Sequence, residues 1–89
     1  MQIVWSQDAK HDLCQILDFI SDKNPVAAFN LFADIESAII HLAQNPYLYK
    51  LGRVTGSREI IVHPNYIVVY RVLENIEILS VVHARQQYP

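Results

Sequence analysis

His63-Pro64-Asn65-Tyr66-Ile67-Val68-Val69-Tyr70-Arg71-Val72 is the stretch on which the fold turns. Pro64 and Asn65 occupy the favoured central seats of a reverse turn. The run after them is β-branched and aromatic, with apolar side chains at odd and even positions alike. A strand of that kind is buried on both faces and lies inside a sheet. Glu74-Asn75 reads as a two-residue hairpin connection into Ile78-Leu79-Ser80-Val81-Val82, which is apolar on both faces as well. Strands are therefore expected over residues 58–63, 66–73 and 76–83. One face of that sheet has to be covered by the rest of the chain. The other needs a partner, and an added helix or strand is the usual means.

Working back toward the N-terminus, residues 45–57 have no period and carry both glycines, Gly52 and Gly56. They read as a loop long enough to suspect a role. Before it, Asn24-Pro25 is a helix start, with Asn as cap and Pro in the first helical position. Ala28, Leu31, Phe32, Ile35, Ala38, Ile39 and Leu42 then form a wide apolar stripe, closed by Asn45-Pro46. An earlier helix begins at the Ser6 cap, with Asp8 at the positive end of its dipole. Ala9, Leu13, Ile16, Leu17 and Ile20 recur on one face, and the helix stops near Lys23. The link between the helices is so short that they form an antiparallel hairpin. Residues 2–5 supply a short strand that joins the same sheet. The 89 residues thus make one α+β domain, residues 1–89, of order β-α-α-β-β-β.

Composition narrows the function. More than half of the residues are hydrophobic, and the formal net charge is −2. Proteins that grip nucleic-acid phosphates usually carry a strong positive excess, so no sequence-specific nucleic-acid binding is expected. The charge is uneven. Residues 1–49 set Lys10 and Lys23 against Asp8, Asp12, Asp18, Asp22, Asp34 and Glu36, whereas residues 50–89 set Lys50, Arg53, Arg58, Arg71 and Arg85 against Glu59, Glu74 and Glu77. The lone Cys14 lies in a helical apolar pattern and reads as a small buried hydrophobe suited to a reducing cytosol. Uninterrupted apolar runs are too short for a membrane span. Met1–Trp5 runs straight into a strand-like segment with no basic leader, so a cytoplasmic protein is expected. His11, His41 and His63 are too dispersed for a metal site, and no cofactor is implied.

Three pieces carry a more specific signal: Gly52-Arg53-Val54-x-Gly56-x-Arg58-Glu59-Ile60, the hairpin quoted above, and the ending Val82-His83-Ala84-Arg85-Gln86-Gln87-Tyr88-Pro89. With Asn45-Pro46-Tyr47-Leu48-Tyr49 and the element order, they make the whole chain resemble the RelE/ParE toxin superfamily, closer to ParE than to RelE. The resemblance implies the toxin of a type II toxin–antitoxin pair, neutralised by a cognate antitoxin whose C-terminal segment wraps it. It implies one of two targets. ParE-like toxins poison DNA gyrase and need no catalytic residue. RelE-like toxins cut mRNA on the ribosome.

Metal-free RNA cleavage needs a base for the 2′-hydroxyl, a cation for the phosphate and a proton donor for the leaving oxygen. By resemblance Arg58, His83, Arg85 and Tyr88 are the residues for that chemistry, gathered at one edge of the sheet. Against it, only Lys50 and Arg53 precede Arg58 where RNA-cleaving relatives carry a lysine cluster, and the chain is acidic overall. The expectation is therefore a ParE-like gyrase inhibitor. Tyr47, Tyr49, Arg53, Arg58, Arg85 and Tyr88 are its candidate contacts with target or antitoxin. The alternatives are the mRNA endonuclease and an attenuated toxin fold that serves only as antitoxin partner. Each residue also has a plainer role open to it. Arg58 can pair in the neighbourhood of Glu59 or with a helix acid, His83 can be a hydrogen-bonded strand end, and Arg71 can form a structural ion pair. Tyr66 and Tyr70 can be sheet packing with hydroxyls in water.

Overall fold

In a computed structural model, which describes residues 1–88, the helix signals act as read. Strand β1 spans Ile3–Trp5, helix α1 Gln7–Lys23 and helix α2 Pro25–Gln44. Ser6 caps α1, its hydroxyl oxygen accepting from the Ala9 N–H, and Asn24 caps α2 through the Ala27 N–H. Strands β2 (Lys50–Leu51), β3 (Arg58–His63), β4 (Tyr66–Val72) and β5 (Ile76–His83) complete one sheet of order β1-β5-β4-β3-β2. All pairings are antiparallel except β1 with β5, which is parallel.

The core lies between the helix hairpin and one sheet face. Ala9 and Leu42 from the helices meet Ile60, Val68, Tyr70, Ile76, Ile78 and Val81. Strand β5 feeds both faces by means of a bulge. Val69 pairs with Ser80 but Tyr70 pairs with Ile78, so Leu79 is an extra residue. The bulge inverts the alternation, and Val81 rejoins Ile76 and Ile78 on the helix side while Val82 faces away.

Helix α1 also closes the edge of β5 beyond the short β1. The Ser6 hydroxyl donates to the Leu79 carbonyl at 3.1 Å, and the Asp12 carboxylate accepts the Val81 N–H at 3.0 Å. Two side chains thus stand in for a missing neighbour strand.

Four expectations need correction. The 45–57 loop contains β2, which pairs with Arg58 and Glu59. The β4–β5 connection holds three residues, Leu73–Asn75, because Val72 pairs with Ile76. The second sheet face is covered in part by the chain itself: Ile67, Val69 and Val82 are buried there under Ala84 and Tyr88, while Ile61 beside Ile67 stays 63% exposed. Cys14 is exposed, since it falls outside the narrow stripe that α1 turns inward. Helix α2 has the length and hydropathy of a membrane span, at a mean of 1.4, even though Ala28, Leu31, Ile35 and Leu42 pack inside the domain.

Candidate functional site

The tail residues of the third motif piece and the 45–57 segment meet around the start of β3, where consecutive side chains point to opposite faces. Arg58 points to the helix side, opposite Tyr70. Its guanidinium donates to the carbonyls of Tyr49 at 2.8 Å and Tyr47 at 3.3 Å, and lies 5.3 Å from the Tyr47 ring centroid. Among the described residues Arg58 therefore pairs with no helix acid. It ties down the chain leaving α2. Tyr70 reinforces it: the side chain is fully buried, and its hydroxyl donates to the Pro46 carbonyl at 2.8 Å. That hydroxyl is not in water, and burial pushes its pKa up to about 12 against the opposing pull of Arg58. Tyr49 is half-buried against the core, whereas the Tyr47 ring stays exposed.

Glu59 points the other way and is buried. Its Oε2 accepts the backbone N–H of Arg53 at 3.1 Å and the Tyr88 hydroxyl. Lys50 Nζ and Arg53 Nε stand 3.7 and 3.8 Å from its carboxylate. Arg53 also stacks 4.5 Å over the Tyr88 ring and donates to the Gln86 carbonyl at 3.4 Å. One carboxylate thus ties the loop before β3 to the C-terminal tail. The glycines make the loop possible. A Cβ on Gly52 would come within 2.4 Å of Ser57 Oγ, and Gly56 holds a φ of +82°. Buried Ser57 closes the turn by donating to the Val54 carbonyl at 2.6 Å.

His83 lies at the far end of the sheet, paired with Tyr66, its ring 5.3 Å from the tyrosine ring. Its Nδ1 accepts the Arg85 N–H at 3.1 Å, as His63 Nδ1 accepts that of Asn65 at 3.0 Å. Among the described residues, Nε2 has no hydrogen-bond partner on either ring. Arg85 is exposed. Arg71 makes its ion pair, with Glu77.

The quartet Arg58, His83, Arg85 and Tyr88 is therefore not assembled. Arg58 and Tyr88 lie on opposite faces of the sheet. The Tyr66 end, where His83 is, and the Tyr70 end, where Arg58 is, are four residues apart along β4, about 13 Å. What the fold brings together is Arg53, Tyr88 and Lys50 around Glu59, a residue of the first motif piece to which the sequence assigns no role. Besides its place in the motif, its signal is period two: it shares a strand face with Ile61, opposite apolar Val69.

Comparison with known proteins agrees with the fold. Residues 3–88 match the family described as ParE toxin of type II toxin-antitoxin system, parDE. The chain is 36% identical over 89 residues to a candidate toxin of Sinorhizobium fredii, Y4kP, covering 99% of this chain and 93% of that one. It is 33% identical over 84 residues to the toxin RelE2 of Caulobacter vibrioides, covering 93% and 94%. A solved structure from the chromosomal ParDE system of P. aeruginosa superposes with a TM-score of 0.80 at 24% identity, over 93% of this chain and 95% of that one.

Proposed function

The chain belongs to the ParE toxin family of type II toxin–antitoxin systems, and from that premise we propose that it halts growth in the cytoplasm by binding DNA gyrase, with a cognate antitoxin holding it inactive. The observation that carries the choice of target is how the polar groups are engaged. Arg58 serves two backbone carbonyls. Tyr88 and Arg53 serve Glu59 and each other. A nuclease needs its cation, base and acid free and within reach of one phosphate. A toxin that acts by docking needs only a stiff surface. Here the same contacts stiffen the exposed Tyr47 loop and the tail that carries exposed Arg85. The acidic balance points the same way, since ribosomal RNA repels it.

The likeness to RelE2 keeps mRNA cleavage as the second reading, with His83 Nε2 and Arg85 as its free groups. Two parallel assays on the purified chain separate them. Inhibited supercoiling with trapped, cleaved DNA and intact mRNA is the expected result. Cut mRNA on programmed ribosomes with unaffected gyrase overturns the proposal. Silence in both assays, with normal growth on expression without antitoxin, identifies an attenuated toxin fold.

A further inference from the structure

The tail does not close the second sheet face completely. A cavity of about 370 Å³ stays open between the Val54 loop, the first turns of α1 and the tail. Its floor is the apolar surface of Val69, Leu79 and Val82, and Tyr88 forms one wall. Asp8 and Asp12 stand at its rim with His11, and the two acids are one helical turn apart, their Cβ atoms about 5–6 Å from each other. Asp8 lies in the first turn of α1, where the helix dipole favours its charge. Asp12 accepts the Val81 N–H at Oδ2, which leaves Oδ1 for another donor. Among the described residues neither carboxylate has an ion-pair partner. No lysine or arginine among them lines the cavity either, since Lys50 and Arg53 are turned to Glu59.

We infer that this cavity is a docking slot for an arginine side chain of a partner protein. An apolar slot rimmed by two carboxylates matches a side chain with a hydrocarbon stem and a cationic head. The spacing of the carboxylates selects between the two such residues. A guanidinium presents donors along two edges and can serve Asp8 with one and Asp12 with the other, whereas an ammonium is a point charge that sits on one of them. Size sets the scale. Ligand sites run from about 300 to 1,000 Å³, and this slot lies near the lower end, where one long side chain fills it. A second groove of about 290 Å³ adjoins it, sharing Asp12 and Gln86 and lined beyond them by Phe19 and Tyr66. That groove gives room to the residues flanking the arginine, which makes a segment of protein the occupant and not a free cation. The inference does not depend on which target the toxin has.

Blocked pentapeptides Ala-Ala-X-Ala-Ala, with arginine, lysine or citrulline at X, test it in NMR titrations of the isotope-labelled full chain. Citrulline has the shape of arginine without its charge. The arginine peptide is expected to shift the amide signals of Leu79, Ser80 and Val82 with a Kd of about 1 mM. The lysine peptide is expected to bind less tightly, and the citrulline peptide at least about fivefold less tightly than arginine. Asp8→Asn is expected to bring arginine down to the citrulline level. Ser80→Leu keeps both carboxylates but fills the slot, and is expected to abolish the shifts with unchanged circular dichroism. Citrulline binding as tightly as arginine overturns the inference. So does binding indifferent to both substitutions, or shifts centred on Asp18 and Asp22 instead of the slot. A lysine peptide that binds as tightly overturns the choice of arginine. Agmatine, which is the head and stem without a peptide, overturns the assignment to a protein if it binds as tightly as the pentapeptide.

Discussion

Arg58 and Glu59 are neighbours in the chain, carry opposite charges and do not touch. Arg58 organises the face of the sheet under the helix hairpin, and Glu59 the face under the C-terminal tail. The first face is covered by α1 and α2, of 17 and 20 residues. The second is covered by a few tail residues, with Ala84 and Tyr88 over Ile67, Val69 and Val82. Both faces bury apolar residues, but by different means, and the tail leaves Ile61 at the edge of its face exposed. The helix face is held by apolar packing, to which Arg58 adds a clamp on the loop. The tail face has little apolar area and is held largely by one carboxylate and what it gathers. The difference teaches that a small domain can close a second sheet face with a polar fastening where it lacks the residues for another layer.

Substitutions can break that contrast. The largest effect is expected on the helix face: Ile78→Ala removes a fully buried side chain and should cost about 2–5 kcal/mol in urea unfolding. Next is the hydroxyl beneath Arg58. The pKa of Tyr70 is raised from 10.0 to about 12, so the folded state holds that proton more tightly than the unfolded chain. Its contribution is complete below pH 10 and is lost as the pH rises through 12, by up to about 3 kcal/mol. Absorbance titration should show one tyrosine ionising near pH 12, and Tyr70→Phe should abolish that phase.

On the tail face, Glu59→Leu should cost about 1–3 kcal/mol, because the freed Lys50 and Arg53 are already half in water. Tyr88→Phe should cost about 1 kcal/mol. Both should raise binding of a hydrophobic dye while the helix content stays fixed. Unchanged dye binding would mean that the tail is held by packing alone. The smallest effect is expected at the far end of the sheet, where His83→Ala should stay within about 0.5 kcal/mol and leave toxicity intact.

Elements with strong local signals were legible before the structure. Ser6 and Asn24 cap their helices because a side-chain oxygen beside a free N–H acts locally, whatever the rest of the fold does. The double-faced strands read correctly from Ile67–Tyr70. Strand β2 was not legible, because two residues cannot express a period. The cover of the second face was not legible either. It depends on Tyr88 returning to Glu59, 29 residues away. The polar residues were recognised by type, and type does not say which face of a strand a side chain takes. Arg58 and Tyr88 were expected together for that reason. Cys14 is exposed because the α1 stripe is narrower than its apolar composition.

The parallel pairing of β1 with β5 has a consequence for synthesis. Ile3 pairs with Ile76, and the Ser6 hydroxyl reaches Leu79 across 73 residues. The first strand made must wait for nearly the last. Contacts so distant in sequence carry the greatest loop-closure entropy and are expected to form late, after the β3–β4–β5 meander has closed on local turns. Until residue 78 has left the exit tunnel of the ribosome making it, the N-terminal strand has no neighbour and the helix hairpin no finished sheet beneath it. The apolar face of the helix hairpin is thus uncovered while the later strands are still being made, and a partner protein present during synthesis can reach it before the sheet does.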